Sequence, residues 1–131
     1  MVERSNKILI IEDNYKLAKK LGNYLHRFGY ETTSIGTKRA GIKPRLYKFL
    51  ENNPRKNSLV ILGDIPGKYF ETAVGIINNF CATAVYFHYE ENSFYVNRAK
   101  QEKISTFRHN ELNGLVKFVE EYFAGAKTTK K

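Results

Sequence analysis

Cysteine is nearly missing from this chain: Cys81 is the only one in 131 residues. An internal disulfide is therefore excluded, which points to a cytosolic, cytoplasmic compartment. One cysteine and three scattered histidines also exclude a Cys/His zinc cluster. The setting of the thiol, Phe80-Cys81-Ala82, predicts a small buried hydrophobe and not a reactive group. Long apolar runs are missing too, so no membrane span is expected. The start, Met1-Val2-Glu3-Arg4-Ser5-Asn6, lacks the apolar core of a signal peptide. No Ser-His-Asp arrangement is recognisable. Acids are scarce in one region in particular. Between Asn14 and Lys56 there are eleven Lys or Arg residues and two acids, Glu31 and Glu51. The remainder holds eleven of each sign, so the whole net charge of +9 sits in a third of the chain. A local excess of this kind marks either a surface for an acidic partner or a solvated face.

What is present is enough for one core. Hydrophobic residues make up 42% and aromatics 14%, within the length of a single domain. We expect a domain over residues 1–125 and a flexible basic tail over 126–131, with no room for an attached output domain. Lys7 to Ile11 is a short β-branched run suited to a strand buried on both faces. Leu17, Leu21, Tyr24, Leu25 and Phe28 follow at helical spacing, with Asp13 or Asn14 to cap the start and Gly29 to end it. Tyr30 to Ile35, Leu59 to Leu62, Thr83 to Phe87 and Lys103 to Phe107 read as further strands. Helical spacing recurs at Leu46, Phe49 and Leu50 after Pro44, and at Phe70, Val74, Ile77 and Phe80. It is short over Glu91 to Lys100 and strong from Leu112 to Phe123. Five strands alternating with five helices predict an α/β, doubly wound parallel sheet with helices on both faces. Ligand chemistry in such folds lies beyond the carboxyl ends of the strands, which here means Glu12, Asp13, Gly63, Asp64, His88, Tyr89 and Arg108.

Lys7-Ile8-Leu9-Ile10-Ile11-Glu12-Asp13-Asn14 resembles the opening of a response-regulator receiver domain of the CheY-like kind. Leu59-Val60-Ile61-Leu62 with the following Pro66-Gly67 is similar to that family as well, and the likeness runs on to Leu115-Val116. The resemblance implies a flavodoxin-like five-stranded sheet of order 2-1-3-4-5 and a part in two-component or phosphorelay signalling. It also implies a site. A carboxylate ending the third strand takes a phosphoryl group, two acids after the first strand help hold Mg²⁺, and a Ser or Thr and a Lys complete the pocket. Glu12 and Asp13 match the acid pair. The nucleophile position falls on Gly63, with Asp64 one residue later and only two before Pro66. His88 stands at the Ser/Thr position, Arg108 at the lysine, and His109 replaces the proline that follows. Glycine has no nucleophile, and arginine is no simple replacement for lysine.

Structural roles for the same residues are just as concrete. Glu12 and Asp13 can cap the first helix, Asp64 can serve a turn, and His88 can be a hydrogen-bonded buried ring. Arg108 can neutralise the acids as a salt bridge, the arrangement we expect. Gly63 to Lys68 also resembles a phosphate-binding loop, but a residue is missing between its glycines and Tyr69 stands where Ser or Thr belongs.

The expected function is a stand-alone pseudo-receiver acting by phosphorylation-independent protein–protein interaction, without catalytic residues or a cofactor. One alternative is a working phospho-receiver using Asp64, in which Mg²⁺ enters with Glu12 and Asp13 as candidate ligands. Another is a nucleic-acid-binding module using residues 14–56, and a further one is a small flavodoxin-like enzyme. The candidate partner surface is Lys16, Lys19, Lys20 and Arg27 with Lys38, Arg39, Lys43, Arg45 and Lys48. A homodimer is compatible with the family, whose members commonly dimerise through the fourth helix, fifth strand and fifth helix. No membrane partner is expected.

Overall fold

β1 (Lys7–Ile11) and β3 (Ser58–Leu62) are continuous apolar runs because both of their faces are covered. They pair in parallel at the centre of a sheet ordered β2-β1-β3-β4-β5, completed by β2 (Glu31–Ile35), β4 (Ala84–His88) and β5 (Ser105–Arg108). The chain is seen here in a computed structural model that describes residues 6–37, 41–89 and 93–128. The expected doubly wound fold and strand order are both present.

The helices are α1 (Tyr15–His26), α2 (Lys43–Asn52), α3 (Gly67–Asn79), α4 (Ser93–Gln101) and α5 (Leu112–Thr128). Leu9, Ile11, Val60 and Leu62 turn to one face, with Leu46 and Leu50 of α2, Phe70 and Val74 of α3, and Ala99 of α4. Ile8, Ile10, Leu59 and Ile61 turn to the other, against Leu21 and Leu25 of α1 and Val119 and Phe123 of α5. Alternate residues of each strand thus feed two separate cores. Edge strand β2 is instead polar and largely exposed along Glu31 to Ser34.

The ends of the helices follow their local chemistry. The Asn14 side chain accepts from the Leu17 N–H at 3.2 Å to cap α1. Gly29, at φ 93°, supplies the left-handed turn into β2. Pro44 occupies the first turn of α2, where its missing N–H costs nothing. After α3 the left-handed residue is Cys81, at φ 53°. The Cys81 N–H donates to Asn78 and the Ala82 N–H to Ile77, a Schellman turn. That turn directs the Cys81 side chain into solvent, so the expectation of a buried thiol is overturned. α5 continues three residues into the segment 126–131 read as a tail. Among the described residues, no helix is long and apolar enough to cross a membrane.

Candidate functional site

Parallel register sets what faces what beyond the strands. Ile11 of β1 pairs with Ile35 of β2 and with Leu62 of β3. Glu12 therefore stands beside Gly63, and Asp13 lies within reach of the chain that leaves β2.

The two acids diverge. Glu12, only 8% exposed, turns towards β3. Its carboxylate accepts the Asn14 N–H at 2.9 Å and the Asp64 N–H at 3.3 Å. A Cβ built on Gly63 would stand 2.3 Å from Glu12 Oε1 and 3.1 Å from the Ile11 carbonyl. The place of any side chain at position 63 is thus filled by Glu12. Asp13 turns towards β2, where buried Thr37 donates its N–H at 2.6 Å and its hydroxyl at 2.7 Å. Thr37 has no motif to mark it; the β1–β2 register is the signal that finds it.

Asp64 turns to β4. Its carboxylate accepts the Tyr86 hydroxyl at 3.1 Å and the Tyr89 N–H at 2.7 Å. His88 is buried, with its ring stacked on Tyr86 at 4.7 Å, and pairs in register with Arg108. The ion pairs among the described residues are Lys7–Glu31, Arg98–Glu71 and Arg98–Glu102. The expected bridge from Arg108 to Glu12 or Asp13 is not among them, because hydrogen-bond donors of the backbone, Thr37 and Tyr86 hold the acids instead. The backbone N–H of Arg108 donates to the Glu111 carboxylate at 2.8 Å.

This donor set does not fit Mg²⁺. The ion needs converging oxygens in a near-octahedral shell, whereas the three carboxylates take different donors, every one of their oxygens accepts a hydrogen bond within the protein, and among the described residues no group of three or more acids, histidines or cysteines is placed to hold a metal ion. The 63–67 loop is no open phosphate cradle either. Its Asp64 N–H is used by Glu12, Ile65 is buried, and a Cβ on Gly67 would meet the Tyr95 hydroxyl at 2.7 Å.

Burial holds the Glu12 carboxyl above its ordinary value of 4.5, and the Asp64 and Asp13 charges push the same way against the two N–H donors. The Tyr89 hydroxyl is raised by burial first and then by Glu12 and Asp64. Lys16, Lys19, Lys20 and Arg27 are exposed along α1, and Lys43, Arg45 and Lys48 along α2 on the opposite face of the sheet. Lys38 and Arg39 lie outside the described residues.

Several solved structures share this fold. The signal receiver domain of a protein described as a Luxo repressor from Vibrio parahaemolyticus superposes with a TM-score of 0.72 at 18% identity, covering 95% of this chain and 94% of its own. The receiver of a modulated diguanylate cyclase from Desulfovibrio desulfuricans gives 0.69 at 15% identity, over 97% and 100%. A LuxR-family DNA-binding response regulator from Staphylococcus aureus gives 0.69 at 15%, over 90% and 98%. No protein-family model matches the chain, and no curated protein does. The chain thus has the receiver-domain fold of two-component response regulators.

Two outcomes test the packing at Gly63. Gly63→Ala should destabilise the domain by about 1–3 kcal/mol, the usual cost of overpacking. In a Glu12→Ala background the same change should cost at least about 0.5 kcal/mol less, as expected for residues in contact. Urea denaturation of the four proteins measures this, and strict additivity would refute the contact. The second outcome concerns pH. A carboxyl whose folded pKa is raised favours folding while protonated, below about 4.5, and loses that contribution as pH climbs through its folded value. The stability of the parent relative to Glu12→Gln should therefore fall as pH rises from about 4 to 7. A difference independent of pH would show that Glu12 is not held in this way.

Proposed function

We propose that this chain is a receiver-type signalling module that acts by protein contact and is not switched by aspartyl phosphorylation. The observation that carries the reading is Glu12 packed over Gly63. A phosphoacceptor at that position has neither a side chain nor the space for one. Asp64 is no substitute, because its oxygens accept from Tyr86 and Tyr89. Without converging ligands for Mg²⁺, charge on a transferring phosphoryl group would go uncompensated.

The contact surface in this reading is the basic flank on either side of edge strand β2. Lys16 and Lys19 are exposed on α1, which packs on one face of the sheet and contacts β2, and Lys43, Arg45 and Lys48 are exposed on α2, which packs on the other face. A polar edge strand between two rows of exposed cations favours an acidic protein segment. The Staphylococcus aureus relative is described as DNA-binding. For this chain nucleic acid is the competing partner, and it differs in salt dependence because each neutralised phosphate releases counterions.

Incubation with Mg²⁺ and acetyl phosphate should leave the intact mass unchanged. A phosphoryl adduct that disappears in Asp64→Asn would overturn the reading and establish a working phosphoacceptor. Fluorescence anisotropy at two salt concentrations should show saturable one-to-one binding of a labelled polyglutamate peptide. The variant carrying Lys16→Glu, Lys19→Glu and Lys43→Glu should lose that binding while its fold is kept, since such surface changes usually shift stability by less than about 0.5 kcal/mol each. Tighter binding of a short DNA duplex, with a steep salt slope, would assign the flank to nucleic acid.

A further inference from the structure

We propose that the cleft between α1 and the start of α5 is a binding site for a small planar aromatic anion. The cleft has a volume of about 450 Å³, within the range of small-molecule sites. Phe87 and Tyr89, at and just past the carboxyl end of β4, line it, near where this topology places ligands. Its surface has the two chemistries such a molecule needs.

The first is a place for a ring. Leu21 and Phe87 are buried and give it an apolar base. On one side Tyr89 and His109 are stacked, with centroids 4.9 Å apart and planes 11° from parallel. Tyr24 of α1 lines the same cleft. A flat ligand entering between them gains face-to-face and edge contacts worth roughly 0.5–1.5 kcal/mol per aromatic pair beyond the area buried.

The second is charge of one sign. Lys20, Tyr24 and Arg27 stand at i, i+4 and i+7, so a ring is flanked by two cations on a single stripe of α1. The cations are separated by about 10 Å of helix rise. Among the described residues neither forms an ion pair and no acidic side chain lines the cleft. Arginine can grip a phosphate or carboxylate through two parallel N–H bonds, and lysine adds a point charge. The shared chemistry is therefore a ring carrying a phosphate or a carboxylate.

The cleft also reaches the acid pocket. Leu21, Phe87 and Tyr89 border a smaller cavity that Glu12 and Gly63 line from the other side. The Tyr89 N–H is the donor to Asp64. A ligand that shifts Tyr89 thus changes a hydrogen bond at the strand ends, giving the module an input that needs no phosphorylation. The site stands on its own geometry, whether or not the basic flank binds a partner.

The test uses the full chain and anilinonaphthalene sulfonate as a fluorescent aromatic anion. Saturable one-to-one binding is expected, with displacement by AMP or by indole acetate. Which of the two competes better tells a phosphate ligand from a carboxylate one. Adenosine and inorganic phosphate, each lacking one half of the chemistry, should compete about tenfold less well. Lys20→Glu with Arg27→Glu should weaken the probe about tenfold or more, as should Tyr24→Leu, which removes the ring at constant charge. Lys19→Glu with Lys43→Glu should leave it unchanged, and circular dichroism melting verifies that every variant folds. The amide resonances of Tyr89 and Asp64 should shift on titration. Equal losses in both charge pairs, undiminished binding in the cleft variants, displacement by phosphate alone as effective as by AMP, or failure of both aromatic anions to displace the probe would each overturn the proposal.

Discussion

The carboxylate of Glu12 is the interaction on which the strand-end chemistry of this domain depends. It lies in the volume that any side chain at position 63 would occupy, and it accepts N–H donors from Asn14 and Asp64. Glycine at 63 is consequently a packing requirement. With its N–H drawn to Glu12, Asp64 turns its own carboxylate to Tyr86 and Tyr89 on the β4 side. Asp13 is drawn the other way by Thr37. Three acids clustered in sequence space around two strand ends are thereby sent to three different neighbours, and each is satisfied within the protein.

That dispersal bears on function in a specific way. Phosphoryl transfer in this fold requires acids that converge on a cation, because the chemistry is mostly positioning and compensation of charge. Hydrogen-bonded acids that diverge give a rigid and internally satisfied end to the sheet. What stays open is the cleft beside α1, where among the described residues the charged lining side chains are the cations Lys20 and Arg27.

Helix-capping chemistry supports the same frame. Cys81 and Lys103 both take left-handed backbone conformations at the ends of α3 and α4, positions where glycine is the common choice. Burial of Ile77 and Ile104 beside those turns compensates for the local strain and fixes how β4 and β5 enter the sheet. Tyr86 and His88, stacked on one face of β4, and Phe87 on the other then carry the alternation of the strand to the site itself.

The sequence by itself determined the architecture. Runs such as Leu59 to Leu62 and the spacing of Leu112, Leu115 and Val119 state their periods directly, and β/α alternation leaves few topologies once connections are right-handed. The candidate residues at the strand ends were legible for the same reason, since each follows a recognisable strand. Side-chain direction was not. Whether Arg108 or a hydrogen-bond donor meets Glu12 depends on parallel register and on sub-ångström packing at Gly63, neither of which is written in local periodicity. The exposed thiol of Cys81 was hidden likewise, because its direction follows from a turn closed by hydrogen bonds to Ile77 and Asn78. The cleft is the furthest from legibility. Lys20, Tyr24 and Arg27 share a helical stripe that sequence shows, but Tyr89 and His109 reach it from the ends of two other strands, and only the tertiary structure brings such distant residues within contact distance.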